Sequence, residues 1–230
     1  MNNYYAIIPE GGLCNKIRVL LSHYDIAMKL NKKFIVIWNN DRYCNGLFLD
    51  YYQPLENTTF IKKNDKDYTI TYKGCSADIK KCNYNLLNLK PNIKKNINNI
   101  LNKYNKFISI HIRRTDHVEL AKKKNLYTDD DCFIRFINEN SDYDIYLATD
   151  NRETQDKFYQ LYKNKIKYIK FMDTVDEINK RPKKDNSDKT RHTSLLDSII
   201  DLYMCVNSEK FMGTKYSSFS ETINQMRLIK

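Results

Sequence analysis

Short apolar runs alternate along this chain with longer stretches in which apolar residues return every three or four positions. The first kind reads as strand and the second as amphipathic helix. Tyr4–Ile8, Lys33–Trp38, Phe107–Ile112, Asp144–Ala148, Lys167–Phe171 and Lys210–Met212 have strand character, with brief strands also expected at Thr59–Ile61 and Tyr68–Tyr72. Leu13–Leu30, Ile93–Tyr104, Cys132–Ile137, Glu153–Tyr162, Thr193–Val206 and Ser220–Ile229 have the helical period. A strand, a helix and a second strand within about 35 residues form a βαβ unit, which pairs its strands in parallel. The pattern predicts an α/β chain of two such units, residues 1–104 and 105–230.

The breaks carry information of their own. Pro9-Glu10-Gly11-Gly12 ends the first strand and opens the first helix, a place where a ligand can approach backbone and helix N-terminus together. Asn15, Lys16 and Arg18 follow in the first helical turns. Cations there oppose the helix dipole, a mismatch relieved by a nearby anion. Residues 114–127 read as a polar loop, and Thr128-x-x-Asp131 as a capping box before the next helix. Residues 180–189 read as an exposed, mobile loop. Gly213-Thr214-Lys215-Tyr216-Ser217-Ser218 is a polar turn before the last helix.

The stretch with most chemistry is Ile108-Ser109-Ile110-His111-Ile112-Arg113-Arg114-Thr115-Asp116. It starts as a buried strand and ends in two adjacent arginines. Open α/β sheets bind ligands at the carboxyl ends of their strands. A guanidinium pairs with phosphate through two charge-assisted hydrogen bonds. The simpler reading is a strand end whose arginines are solvated and paired with Asp116. His111, set among isoleucines, reads on its own as a core histidine. Asp201 lies among Ile199, Ile200 and Leu202 and needs a partner, either a ligand or an arginine such as Arg113. Ser217 and Ser218 read equally as a plain N-cap. Asp150 stands at another strand's carboxyl end.

Composition narrows the partner. With 39 basic and 28 acidic residues the chain carries a net charge of +11, which favours an anion without choosing among nucleotide, nucleic acid and anionic surface. Lysine runs at 122–124 and 183–184 lack a nucleic-acid-binding motif around them, so no specific nucleic-acid partner is expected. No long apolar stretch or signal-like N-terminus is seen, so a protein without a transmembrane segment, in the cytoplasm, is expected. The six scattered cysteines fit reduced thiols, with a Cys75–Cys82 bridge the less favoured option.

Four of these stretches together resemble one superfamily. Gly11-Gly12-Leu13-Cys14-Asn15-Lys16 resembles the G-G-x-x-N signature of the NodZ-like and protein O-fucosyltransferases. His111-Ile112-Arg113-Arg114-Thr115-Asp116 is similar to the H-x-R-R-T-D motif of the alpha-1,6-fucosyltransferases. Tyr146 to Asp150 resembles their second motif, and Leu196 to Ser218, with Asp201 and the Ser217-Ser218 pair, the third. The order and spacing agree across nearly the whole chain.

The resemblance implies a GT-B-like fold, two Rossmann-like domains facing across a cleft, with residues 1–104 on the acceptor side and 105–230 holding the nucleotide sugar. It implies an inverting, metal-independent fucosyltransferase that needs no cofactor. The enzyme would move fucose from the donor GDP-fucose to a glycan or protein hydroxyl. By the same resemblance Arg113 meets the donor β-phosphate, Ser217 and Ser218 lie near the phosphates, and His111 and Asp201 read the guanine. Gly11, Gly12, Asn15, Arg114 and Asp150 complete the substrate contacts, Asp150 toward ribose or base. The family's lysine and carboxylate after R-R-T-D are replaced by His117 and Ala121, which leaves Asp116, His117 and Glu119 as candidates for the base. Acceptor recognition is expected from residues 39–84, 114–127 and 180–192. A transferase of the same fold using another nucleotide sugar, and a catalytically silent nucleotide- or glycan-binding homologue, are the alternatives the sequence leaves open. Three D-x-D matches (Asp65-Lys66-Asp67, Asp129-Asp130-Asp131 and Asp142-Tyr143-Asp144) read as surface or capping acids rather than metal ligands.

Overall fold

Two parallel sheets organise the chain, one in each of two compact units, residues 1–94 with 228–230 and residues 95–227. The computed structural model describes residues 3–41, 43–63, 66–78, 82–115, 118–174 and 191–230. The expected 180–189 loop lies outside them. The division at 94/95 falls inside a helix, ahead of the 104/105 boundary expected from the pattern.

In the first unit β1 (Tyr4–Pro9), β2 (Lys33–Ile37), β3 (Thr58–Ile61) and β4 (Tyr72–Gly74) pair in parallel in the order β3-β2-β1-β4. The second expected short strand thus starts where Tyr68–Tyr72 was to end. Helix α1 (Leu13–Lys29) joins β1 to β2, and its apolar face, including Ile17, Leu20 and Leu21, is buried. Chain order reverses on either side of β1, between β2 and β4. The Gly11-Gly12 turn therefore stands at the topological switch point, where open sheets bind ligands. After β2 come the one-turn α2 (Phe48–Tyr51), a 3-10 turn at Tyr84–Leu86 and α3 (Pro91–Leu101). The aromatic residues of this region form core as well as surface. Phe48 stacks on Phe60 at 4.6 Å and on Tyr52 at 4.8 Å, and packs against Trp38. Phe48 and Tyr52 are buried and so cannot form an exposed acceptor surface.

The second unit is built on β5 (Phe107–Ile112), flanked in parallel by β6 (Asp144–Thr149) and β7 (Lys210–Gly213). Among the described residues its helices are α4 (Val118–Lys123), α5 (Asp130–Asn138), α6 (Arg152–Tyr162), α7 (Leu195–Asn207) and α8 (Ser218–Leu228). Both faces of β5 are buried, but they differ in chemistry. Ile108, Ile110 and Ile112 pack with Ile145, Leu147, Phe133, Ile137 and Phe158 in an apolar core. The alternate residues of β5, with Tyr146 of β6, meet α7, α8 and the turn after α7 through hydrogen bonds. Ser109 Oγ lies 2.6 Å from Ser208 Oγ, His111 Nδ1 2.8 Å from Ser220 Oγ, and Tyr146 Oη donates to Asp201 at 2.8 Å. Pairing of this kind is what makes buried polar groups tolerable.

Three expectations are corrected. Residues 114–127 are not all loop, because α4 forms there with Glu119 in its first turn and Lys122 and Lys123 in its last, the arrangement the helix dipole favours. The cap of α5 is Asp129, which accepts from the Cys132 amide, while Thr128 Oγ1 accepts from the Lys215 amide. No strand forms at Lys167–Phe171. Only Ile166 bridges to Ile145, and beyond it side chains of α6 hold the segment. Gln155 Nε2 donates to the Lys170 carbonyl and Arg152 Nη1 to that of Met172.

Among the described residues no helix is long and apolar enough to cross a membrane. All six cysteines are free thiols, so Cys75 and Cys82 are not bridged.

Candidate active site

Chain order also reverses around β5, so its carboxyl end is the switch point of the second sheet. The ends of all three strands come together there. Ile112 is level with Thr149, and His111 with both Ala148 and Gly213, so Arg113 emerges between Asp150 on one side and Thr214 on the other. Both neighbours hold it. The Arg113 amide donates to Thr214 Oγ1 at 3.0 Å, and Thr214 Oγ1 in turn donates to the His111 carbonyl. On the other side Asp150 Oδ2 lies 4.0 Å from Arg113 Nε. Arg113 is only 8% exposed. The two arginines are therefore not solvated as the simpler reading expects, the Arg114 side chain being 11% exposed; Asp116 lies outside the described residues.

The two arginines have separated roles. Arg114 is committed to scaffold contacts, its Nη2 pairing with Asp130 at 2.6 Å and donating to the Thr128 carbonyl at 2.9 Å. Its guanidinium lies 4.9 Å from the centre of the Tyr127 ring. Burial pushes the Asp130 carboxyl up, but hydrogen bonds from Lys157 and Arg114 outweigh this and leave its pKa below the usual range. The D-x-D run at 129–131 is thus a helix cap and an ion-pair partner. Asp144 of the second run pairs with Lys167 at 3.2 Å, and Asp65 of the third lies outside the described residues.

His111 is held as a neutral imidazole. Burial, then the charges of Arg113, Lys170, Arg191 and Arg114, keep its pKa well below the ordinary histidine value. Glycine at 213 makes its partnership with Ser220 possible. A Cβ at that position would lie 2.5 Å from Ser220 Oγ, so α8 reaches His111 through the space a side chain would fill.

The turn after β7 brings Ser217 to the start of α8. Its carbonyl accepts the Glu221 amide, the first bond of the helix, but among the described residues its hydroxyl has no hydrogen-bond partner although the residue is 1% exposed. A capping serine would bond an amide of the first turn, so the plain cap reading does not describe Ser217. Ser218 is the first residue of the helix itself.

Asp201 is already occupied. Lys170 Nζ pairs with one of its oxygens and Tyr146 Oη donates to the other, all three groups being buried. Burial pushes the Asp201 carboxyl up to about 6 against the pull of Lys170 and Tyr146. The expected partner Arg113 is not the one found. Tyr146 lies three residues before the end of β6, which puts this pair beneath the strand-end cluster.

Asp116 and His117 lie outside the described residues. Glu119 is exposed on α4. Several participants are not among the expected site residues: Thr214, Ser220, Lys170, and His192, whose amide donates to the Asp150 carbonyl and whose Nδ1 accepts the Arg152 amide.

In the first unit the glycine turn has its own geometry. Gly11 has φ +84°, and a Cβ there would lie 2.9 Å from Asn15 Nδ2, so both backbone angle and space require glycine. Gly12 is the N-cap of α1 and accepts the Lys16 amide. Asn15 Oδ1 accepts from Arg18 at 2.5 Å. The anion expected for Lys16 is internal. The lysine is fully buried, pairs with Asp41 at 2.7 Å, donates to the Asn39 carbonyl at 2.6 Å, and lies 5.4 Å from the Trp38 ring centre.

The model of the family described as GDP-fucose protein O-fucosyltransferase matches residues 14–230. The chain belongs to that family. It is accordingly a GDP-fucose-dependent fucosyltransferase by family, and its two parallel-sheet units have the GT-B-like α/β fold of solved fucosyltransferases. Fucosyltransferase NodZ from Bradyrhizobium matches with a TM-score of 0.61 at 12% identity, covering 96% of this chain and 93% of that one. NodZ alpha-1,6-fucosyltransferase co-crystallised with GDP gives 0.62 at 11%, covering 96% and 92%. The apo form of POFUT1 gives 0.65 at 9%, covering 99% and 95%. No curated protein matches the sequence.

Proposed function

We propose that this fucosyltransferase transfers fucose from GDP-fucose to a hydroxyl of a glycan or protein, with inversion and without a metal, and that the β5 strand end holds the donor diphosphate. The observation that carries this reading is that the end of β5 and the turn after β7, joined through Thr214, carry Arg113 and Ser217 respectively. The backbone of a buried arginine is fixed to Thr214, and the turn that holds Thr214 also carries Ser217, a buried hydroxyl with no hydrogen-bond partner among the described residues, at the N-terminus of an eleven-residue helix. Cation, hydroxyl and helix N-terminus are each complementary to phosphate.

In the transfer, the acceptor oxygen attacks the anomeric carbon while its bond to the β-phosphate oxygen breaks. The acceptor proton passes to a base, and GDP departs with one more negative charge. Arg113 supplies positive charge where that charge grows, a form of electrostatic stabilisation whose removal costs about 100- to 1000-fold in rate. His111, kept neutral, presents a polar ring beneath the site for the base. The Gly11-Gly12 turn and Asn15 serve the first unit's switch point on the acceptor side. Glu119, Asp116 and His117 are the base candidates. Asp201 takes part in guanine recognition only by exchanging its present partners, and Arg114 acts through the scaffold. The free cysteines fit a cytoplasmic setting.

The test is a thermal-shift panel of GDP, GDP-fucose, GDP-mannose, UDP and UDP-sugars, with and without EDTA. Stabilisation by GDP and GDP-fucose that EDTA does not change is expected. Stabilisation by UDP-sugars alone discards the donor assignment.

A further inference from the structure

Asp150 stands at the strand end but spends its carboxylate on the protein. Oδ1 accepts the Arg114 amide at 2.9 Å and Oδ2 accepts the Thr115 hydroxyl at 2.6 Å, with Arg113 Nε 4.0 Å from the same oxygen. Its main-chain carbonyl accepts the His192 amide. The residue is 7% exposed. One side chain thus binds three consecutive residues of the turn that carries Arg113. Thr214 holds the same turn from β7.

We propose that Asp150 is a positioning residue: it fixes the Arg113-Arg114-Thr115 turn so that the Arg113 guanidinium meets the donor diphosphate, and it does not itself contact ribose or base. This rests on the donor reading above. A group pinned by a charge-assisted network on both sides is already oriented when the ligand arrives, so less ordering is left to do on binding. Asparagine at 150 keeps an oxygen for the Arg114 amide. It loses the charge facing Arg113 and replaces the acceptor of the Thr115 hydroxyl with a donor.

The nucleotide's own chemistry separates the alternatives. GDP has the β-phosphate that Arg113 would meet, whereas GMP has base, ribose and α-phosphate only. Calorimetric titration of Asp150→Asn with both is expected to show GDP binding weakened about tenfold, the scale of one lost charge-assisted hydrogen bond, with GMP binding unchanged. Thr115→Val, which removes one arm of the network and leaves Asp150 in place, is expected to show the same GDP-only loss, and Thr115→Ser to regain it. Equal losses for GDP and GMP would make Asp150 a nucleoside ligand and overturn the proposal, as would no loss for either nucleotide in a folded variant. If the unaltered protein binds GDP no more tightly than GMP, the donor reading itself fails, an outcome distinct from both.

Discussion

His111 Nδ1 and Ser220 Oγ meet at 2.8 Å in the buried space opposite Gly213, joining the central strand to the last helix. Gly213→Ala would push a methyl group into that contact. Overpacking of this kind costs about 1–3 kcal/mol, while Ser220→Ala leaves a buried ring nitrogen without its partner at a similar cost. Urea denaturation is expected to show both losses, the alanine at 213 producing one although no hydrogen-bonding group is removed.

The same histidine gives stability a pH dependence. Its folded pKa is depressed, so the unfolded chain binds the proton more readily, and this contribution is lost as pH falls below about 6.5. Asp201 acts in the opposite sense. Its folded pKa, raised to about 6, makes its contribution present at low pH and lost as pH rises through 6. Between about pH 4 and 6 the two oppose each other. His111→Gln should leave the Asp201 dependence exposed. Unfolding free energies measured from pH 7 to 4 are expected to decline less on acidification in that variant, by up to about 1.4 kcal/mol per pH unit.

The Lys170–Asp201 pair is expected to behave as a buried ion pair. Lys170→Met alone leaves an uncompensated carboxylate and should cost about 3–5 kcal/mol. Adding Asp201→Leu should recover part of that loss, which denaturation of the single and double variants would show.

That pair also marks where sequence pattern stops being informative. The alternation in residues 166–172 is real, but its inward face is Ile166, Tyr168, Lys170 and Met172, while Ile169 and Phe171 are exposed. A lysine faces inward because Asp201, 31 residues on, meets it there. Nothing local announces that pairing, nor the side chains of α6 that take the carbonyls of this segment. The six residues of α4 bury one alanine and offer too little periodicity to be seen. By contrast β1, β5, β6 and β7 were legible, since each is a short β-branched or apolar run ending in a polar break. The glycine turn and the Arg113 turn were legible as chemistry because they fall where such strands end. Their separate duties were not: Arg114 is bound by Asp130 and Thr128, contacts set by a helix cap that only the folded chain reveals.

Ser217→Ala tests the unpartnered hydroxyl. Removing a buried group that has no hydrogen bond should leave unfolding stability unchanged or slightly raised. If the hydroxyl meets donor phosphate, GDP affinity should fall about tenfold in the same variant. A stability loss with unchanged GDP affinity would return Ser217 to the role of a helix cap.

The central claim is that Arg113 binds the donor's β-phosphate, and calorimetric titration of GDP and GMP into the unaltered protein and Arg113→Ala tests it most directly. The account predicts that the unaltered protein prefers GDP over GMP and that Arg113→Ala abolishes this preference while still binding GMP. Arg113→Ala binding GDP as tightly as the unaltered protein would contradict it.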